Sequence, residues 1–332
     1  MNIRTSDLRK FQKLSSHIKP NGIAPASDCI RFGGGVMTKN AYSAFVTYHC
    51  PDANEDLLVE EHVINSLLST TSADFFNITI KNEKVIVSDG RDKVPFGFIN
   101  MDTYTNTPSV PTVKTEISKE FLNVLGRAAE VCAAPKDPST VYMFVHVGDN
   151  MMAAGNGWSG VVFPIEEDLK MVIGKQTAML VSKYDFTETG ETEGHYFFFA
   201  KDVIMGFSKQ EIGYSEMGKI MRGGKEEFTF TASATDVLSF NALALSLCKD
   251  WAIVTMKTGE FEMIDSRFDY TPTRPAEQLR LPEPFHYNAD NMNLIVKALD
   301  VEELDFHNSK NAYFIRSSDT TARAIIAKIS KQ

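Results

Sequence analysis

Cysteine is scarce and scattered. The four cysteines, Cys29, Cys50, Cys132 and Cys248, form no C-x-x-C pair, which argues against both a disulfide scaffold and a zinc site and predicts reduced thiols held in cores. The seven histidines form no H-E-x-x-H and no i, i+4 pair, so no metal and no cofactor is expected. No apolar run approaches the ~20 residues of a membrane helix, and Met1 to Lys10 lacks the apolar centre of a signal peptide. A cytoplasmic chain without a membrane partner is expected. With 20 glycines and 13 prolines in 332 residues, collagen-like and low-complexity classes are excluded. Basic residues are also short: 34 Lys and Arg face 43 Asp and Glu, net −9, which disfavours a surface that grips nucleic acid everywhere.

What is present is an ordinary folding composition, 43% hydrophobic and 23% charged, long enough for two or three domains. The charge has one local exception. Arg4 to Lys19 carries five basic residues and one acid, Asp7. Leu8, Phe11, Leu14 or Ser15, and Ile18 recur there at helical spacing, predicting an amphipathic helix with Arg9, Lys10, Lys13 and His17 outward. Strands are expected at Cys29 to Phe32 and Ala41 to His49, a helix at Glu60 to Leu68, then strands at Phe75 to Ile80, Lys84 to Ser88 and Val94 to Ile99. The order restarts with a helix after Ser118, on which Lys119, Asn123 and Arg127 align. Strands follow at Val141 to Val147, Met151 to Ala154 and Val161 to Phe163, then a short helix Glu166 to Ile173 and strands Ala178 to Phe186, His195 to Phe199 and Val203 to Phe207. A third round runs from a helix at Thr235 to Cys248 to a closing strand at Ala324 to Ile329.

The pattern therefore predicts an α+β fold of three tandem units of roughly 110 residues, each with helices on antiparallel sheets: 1–109, 110–222 and 223–332. Unpaired strand edges at the ends of such an array predict dimerisation.

Four stretches then carry a resemblance: Ala153-Ala154-Gly155-Asn156-Gly157-Trp158, the run Ile212 to Met221, Phe285-His286-Tyr287-Asn288 with the helix behind it and the last strand, and Asp89-Gly90-Arg91 with Phe96. Together they resemble the bacterial DNA polymerase sliding clamp, the β subunit of the replicative polymerase, over the whole chain. Asn156 stands where the family usually has Asp, Trp158 where it has His, and Ser215 where it has Pro, which fits a divergent member such as a phage or mobile element carries. The resemblance implies a head-to-tail homodimer, a six-domain ring that encircles duplex DNA without reading its sequence and is not an enzyme. A basic helical inner face would touch phosphates; the candidates are Arg9, Lys10, Lys13, Lys19, Lys119, Arg127, Lys170, Lys175 and Lys297. The resemblance further implies a hydrophobic cleft between the second and third domains that takes short peptides of polymerase and clamp loader. Its positions map to Met143 or Phe144, Gly155, Gly157, Trp158, Ser215, Lys219, Ile220 and the strand residues Ile325, Ile326, Ala327, Lys328 and Ile329.

Two other readings compete. A clamp-like fold could bind partner peptides without encircling DNA. Alternatively, Gly155-Asn156-Gly157-Trp158-Ser159-Gly160 matches G-x-G-x-x-G, a dinucleotide fingerprint. That motif needs a helix starting within it, and Val161-Val162-Phe163-Pro164 is β-branched and stopped by proline.

Overall fold

The computed structural model describes residues 1–18, 26–41, 43–134, 140–210, 212, 229–248, 252–264, 271–309 and 312–329. One order of elements recurs three times: strand, helix, four strands, helix, three strands. The first round is β1 (Asn2–Arg4), α1 (Thr5–Ser15), β2 (Cys29–Gly33), β3 (Val36–Asn40), β4 (Ala44–His49), β5 (Leu57–Glu60), α2 (Glu61–Thr70), β6 (Phe75–Lys81), β7 (Lys84–Ser88) and β8 (Lys93–Gly97). The second is β9 (Thr115–Glu116), α3 (Lys119–Val131), β10 (Phe144–Gly148), β11 (Met151–Gly155), β12 (Ser159–Pro164), β13 (Met171–Gly174), α4 (Lys175–Val181), β14 (Glu188–Glu191), β15 (His195–Phe199) and β16 (Val203–Ser208). The third is β17 (Thr229–Ser233), α5 (Ala234–Leu247), β18 (Ile253–Lys257), β19 (Gly259–Ile264), β20 (Thr273–Ala276), β21 (Phe285–Asn288), α6 (Ala289–Leu299), β22 (Glu303–Asn308), β23 (Ala312–Ser317) and β24 (Thr320–Ala327).

Contacts divide the chain into two compact units, Met1–Lys119 with Tyr184–Lys209, and Glu120–Lys183 with Gln210–Gln332. The first holds an eight-stranded antiparallel sheet, β5-β2-β3-β4-β16-β15-β14-β9, and a four-stranded one, β1-β6-β7-β8. Helix α1 buries Leu8, Phe11 and Leu14, one helical face, and packs against α2 and β4. Where β4 meets β16, the Phe45 ring lies over Gly206, where a Cβ would come within 2.2 Å of it. Only glycine admits that approach, and Phe45 continues into a cluster with Phe197 and Phe199.

The second unit repeats the design with β13-β10-β11-β12-β24-β23-β22-β17 and β20-β19-β18-β21. Helices α5 and α6 pack on each other, and α6 also contacts β12 and β24. Ser233 and Asn288 cap these helices, their side chains accepting from the amides of Asp236 and Asn291. Each eight-stranded sheet is thus two quartets joined edge to edge, β4 to β16 in one and β12 to β24 in the other. The remaining quartets end at β8 and β20, which pair on one side only among the described residues.

The second round corrects the sequence reading. Helix was expected at Glu166 to Ile173 and strand at Ala178 to Phe186; instead Met171–Gly174 is strand β13, and helix α4 begins at Lys175. The acids Glu166 to Asp168 imitate a helix start, but Val145 pairs with Ile173 and His146 with Val172. Sheet pairing outweighs local propensity there. Strands β3 and β14 were unforeseen because their sequences, VMTKN and ETGE, are polar; β3 buries Thr38, Lys39 and Asn40 all the same.

Candidate functional site

The basic candidates fall into distinct environments. Arg9, Lys10 and Lys13 lie on the exposed side of α1, opposite its buried stripe. Arg9 donates to the Thr71 carbonyl at 3.3 Å, beyond the end of α2. The ammonium groups of Lys10 and Lys13 make no ion pair or hydrogen bond among the described residues. Lys119 and Lys297 are exposed on α3 and α6. Lys19 lies outside the described residues.

Three candidates stand differently from what their spacing suggested. Arg127 is half-buried: its Nε donates to Ala298 O at 2.6 Å, its Nη2 to Leu299 O at 2.5 Å, and it stacks over Phe163. It neutralises the carbonyl end of α6, where Asp300 turns left-handed at φ 53°. Lys175 does the same for α3, its Nζ 2.7 Å from Cys132 O and 3.3 Å from Glu130 O. Lys170 sits on no helix at all but in the exposed stretch before β13, close in sequence to Glu166, Glu167 and Asp168. Neither α2 nor α5 contains a Lys or Arg.

The apolar candidates gather in the second unit, around the turn between β11 and β12. Gly155 pairs with Gly160, so the G-x-G-x-x-G stretch is a hairpin running into strand β12, with no helix to offer amides to a phosphate. Asn156 organises the turn. Its Oδ1 accepts from Trp158 N at 3.0 Å, Ser159 N at 2.9 Å and Ser159 Oγ at 3.1 Å, while its Nδ2 donates to Asn291 Oδ1 on α6 at 2.9 Å. Gly157 has φ +88°, which side-chain-bearing residues adopt only under strain, and its Cα faces the Tyr142 ring. Trp158 is left 55% exposed.

Strand β24 lies alongside this turn: Ser159 pairs with Ile326 and Gly160 with Ile325, and Ala327 N donates to Trp158 O at 2.8 Å. The two-residue period of the strand separates the candidates. Ile325 is partly exposed and packs on Ala153 and Val162 with Tyr142 and Met151. Ile326 is 1% exposed and belongs to the core, not to the wall of a cleft. Ala327, Lys328 and Ile329 are half-exposed, with the Lys328 ammonium 4.8 Å from the Tyr313 ring centre. Met143 and Phe144 are half-exposed at the start of β10, and Gly155 is buried. Ser215, Lys219 and Ile220 lie outside the described residues. The sequence reading missed Tyr142, Met151, Ala153 and Val162. Only the register of β11 against β12, and of β12 against β24, brings them to Ile325.

Behind the patch, His146 is buried with Nε2 3.2 Å from Val141 O. Burial lowers its pKa, opposed in part by that hydrogen bond. Among the described residues no three His, Cys, Asp or Glu side chains are grouped to hold a metal ion, and no helix is long and apolar enough to cross a membrane.

No family model and no curated protein sequence matches the chain. Solved structures do. The DNA polymerase sliding clamp of Bacillus subtilis superposes with TM-score 0.84 at 14% identity, covering 100% of this chain and 99% of that one. A putative DNA polymerase III β subunit of Eubacterium rectale gives 0.84 at 13%, covering 99% of each. The Helicobacter pylori β clamp, solved bound to a DNA ligase peptide, gives 0.82 at 11%, again covering 99% of each. Such likenesses show the fold: an α+β fold of the sliding-clamp type along the full chain.

Proposed function

We propose that this protein is a DNA sliding clamp, a homodimeric ring of two chains with three clamp domains each, 1–109, 110–222 and 223–332, that tethers a polymerase to duplex DNA. The observation that carries the proposal is the pair of unfinished sheets. Quartet β21-β18-β19-β20 corresponds, element for element, to β5-β2-β3-β4 and β13-β10-β11-β12, and β1-β6-β7-β8 corresponds to the quartets ending in β16 and β24. The last strands of such quartets pair twice within the chain. Pairing β20 of one copy with β8 of another repeats the same joint, and doing so at both ends closes a two-chain ring. Apolar side chains are available for that contact: Phe98, just beyond β8, is 48% exposed, and Leu243 and Leu247 are each 37% exposed on α5.

In such a ring, retention comes from closure, so the phosphate contacts need only be few and weak. The exposed cations Arg9, Lys10, Lys13, Lys119 and Lys297 suit that role. Net acidity then serves to keep DNA off the rest of the surface. The patch of Trp158, Ile325, Tyr142 and Met151 suits an extended peptide with apolar anchors, such as the tail of a polymerase or clamp loader.

The test is solution mass by light scattering with negative-stain images of the same peak, followed by retention on nicked circular DNA. A two-chain particle with a central hole that stays on circular DNA and slides off linear DNA is expected. A one-chain particle that never becomes topologically linked to circular DNA overturns the ring. If that particle still binds polymerase-derived peptides, the protein is a peptide-binding module with a clamp fold.

A further inference from the structure

The first unit contains an open cavity of about 510 Å³ that begins at two of the proposed tethering cations and extends beyond them to residues the tethering role does not use. Helix α1 contributes Lys10 and Lys13 to it, and the turn between β15 and β16 contributes Lys201 and Asp202. The segment leading into β14 adds Tyr184 and Asp185, and β4 adds Tyr48. Three ammonium groups and two carboxylates therefore border one hollow. Among the described residues the ammonium groups of Lys10, Lys13 and Lys201 form no ion pair or hydrogen bond. The two tyrosines differ. Tyr48 is buried, and its hydroxyl donates to Asp7 Oδ1 at 3.1 Å. Tyr184 is only half-buried, its hydroxyl has no hydrogen-bond partner among the described residues, and its ring is tilted 59° to Phe186.

We infer that this cavity binds one unpaired nucleotide, with its phosphate on Lys10, Lys13 and Lys201 and its base against Tyr184. The volume lies within the ~300–1,000 Å³ of small-ligand pockets. Unpaired cations beside an aromatic face are the combination that holds single-stranded nucleic acid, where stacking supplies affinity and cations follow the backbone. A simple phosphate site would not need the tyrosine, and an apolar peptide would leave the three ammonium groups uncompensated. The carboxylates of Asp185 and Asp202 can accept hydrogen bonds from exocyclic amino groups, so cytosine suits the pocket and thymine, which has no such group, does not. The chemistry stands on the cavity alone. It rests on the tethering reading only for its setting, in which a clamp at a primer end meets the unpaired template strand. Lys201, Tyr184 and Asp185 then touch the unpaired strand alone, and the duplex is left to the cations of the helices.

The test titrates the full-length protein into fluorescein-labelled (dC)6 at low salt and reads anisotropy, with (dT)6 alongside. The variants are Lys201→Glu, at an exposed position, and Tyr184→Ala, with circular dichroism to verify folding. The loss of one stacked base or one phosphate contact should weaken (dC)6 binding about tenfold in each variant. Competition by dCMP identifies the source: displacement at equal nucleotide concentration assigns the pocket to free nucleotides, and none at hundredfold excess assigns it to a strand. Undetectable binding of (dC)6 by the unmodified protein, or unchanged affinity in folded Lys201→Glu, overturns the inference. The ring is judged separately by retention of Lys201→Glu on circular duplex, which should match that of the unmodified protein. Loss of retention in both proteins with (dC)6 binding intact would refute tethering and leave the pocket standing.

Discussion

Lys39 offers the sharpest test of how the first unit is held together. Its ammonium lies 2.6 Å from Glu61 Oε2 and 3.4 Å from Ser15 O, with the side chains of Lys39 and Glu61 only 2% and 17% exposed. This single contact joins strand β3 to the first residue of α2 and the last of α1, and so fixes the helix that bears Lys10 and Lys13. Lys39→Met keeps most of the aliphatic stem and removes the charge, leaving the Glu61 carboxylate with the Ser15 hydroxyl at 3.4 Å. Removing one partner of a buried pair costs about 3–5 kcal/mol. Because water still reaches Glu61, the lower end, ~3 kcal/mol, is expected. With a urea slope of about 3 kcal/mol/M, the midpoint of the first unit's transition should fall by roughly 1 M. The double variant Lys39→Met, Glu61→Leu replaces both charges with apolar groups and should recover most of the loss. The assay is urea unfolding by circular dichroism, with hydrogen exchange at α1 to assign the transition to this unit. A single variant that loses less than ~1 kcal/mol, or a double variant no more stable than the single, would refute the reasoning.

Other predictions concern the second unit. Ile325→Asp places a charge on the partly exposed apolar wall and should reduce binding of an apolar-anchored polymerase peptide at least tenfold, read by calorimetry, with little change in melting temperature. The same substitution at the core residue Ile326 should unfold the sheet instead, and equal effects at the two positions would contradict the strand's alternation. Asn156→Ala removes three acceptor contacts and the link to Asn291; about 1–3 kcal/mol of stability should be lost, together with weaker peptide binding, whereas Asn156→Asp should keep the turn. His146 has a folded pKa below its unfolded value, so the unfolded chain binds more protons as pH falls through the range below about 6.5. Stability should therefore decline from pH 7 toward pH 5, and His146→Gln should flatten that part of the profile. An unchanged slope would remove His146 as the cause.

How much of this was legible in the residues depends on whether the signal was local. The apolar stripe Leu8, Phe11, Leu14 declared α1 and its basic outer side, because helical period alone separates the two faces. The three rounds of elements were visible for the same reason, with turn residues such as Asn82-Glu83 marking the breaks; both adopt positive φ. The strand after the G-x-G-x-x-G stretch was equally local, since Val161 to Pro164 is β-branched and closed by proline. Where a segment's state depended on a distant partner, the sequence was silent or misleading. Met171–Gly174 became a strand because Phe144 to Val147 lies beside it. Polar β3 became interior because Glu61, far along the chain, receives Lys39.

The sequence by itself therefore determined the α+β class, the tandem order and the concentration of cations on α1, all of which follow from periodicities of 3.6 and 2 residues. Tertiary structure alone decided which candidates are free to act. Arg127 and Lys175 read as surface cations until the carbonyl ends of α6 and α3 were found against them. Ile325 and Ile326 were indistinguishable neighbours until pairing with β12 turned one outward and the other into the core. Charge and hydrophobicity belong to a residue, but availability belongs to its surroundings, and those are assembled from segments from about forty to more than a hundred and fifty residues apart.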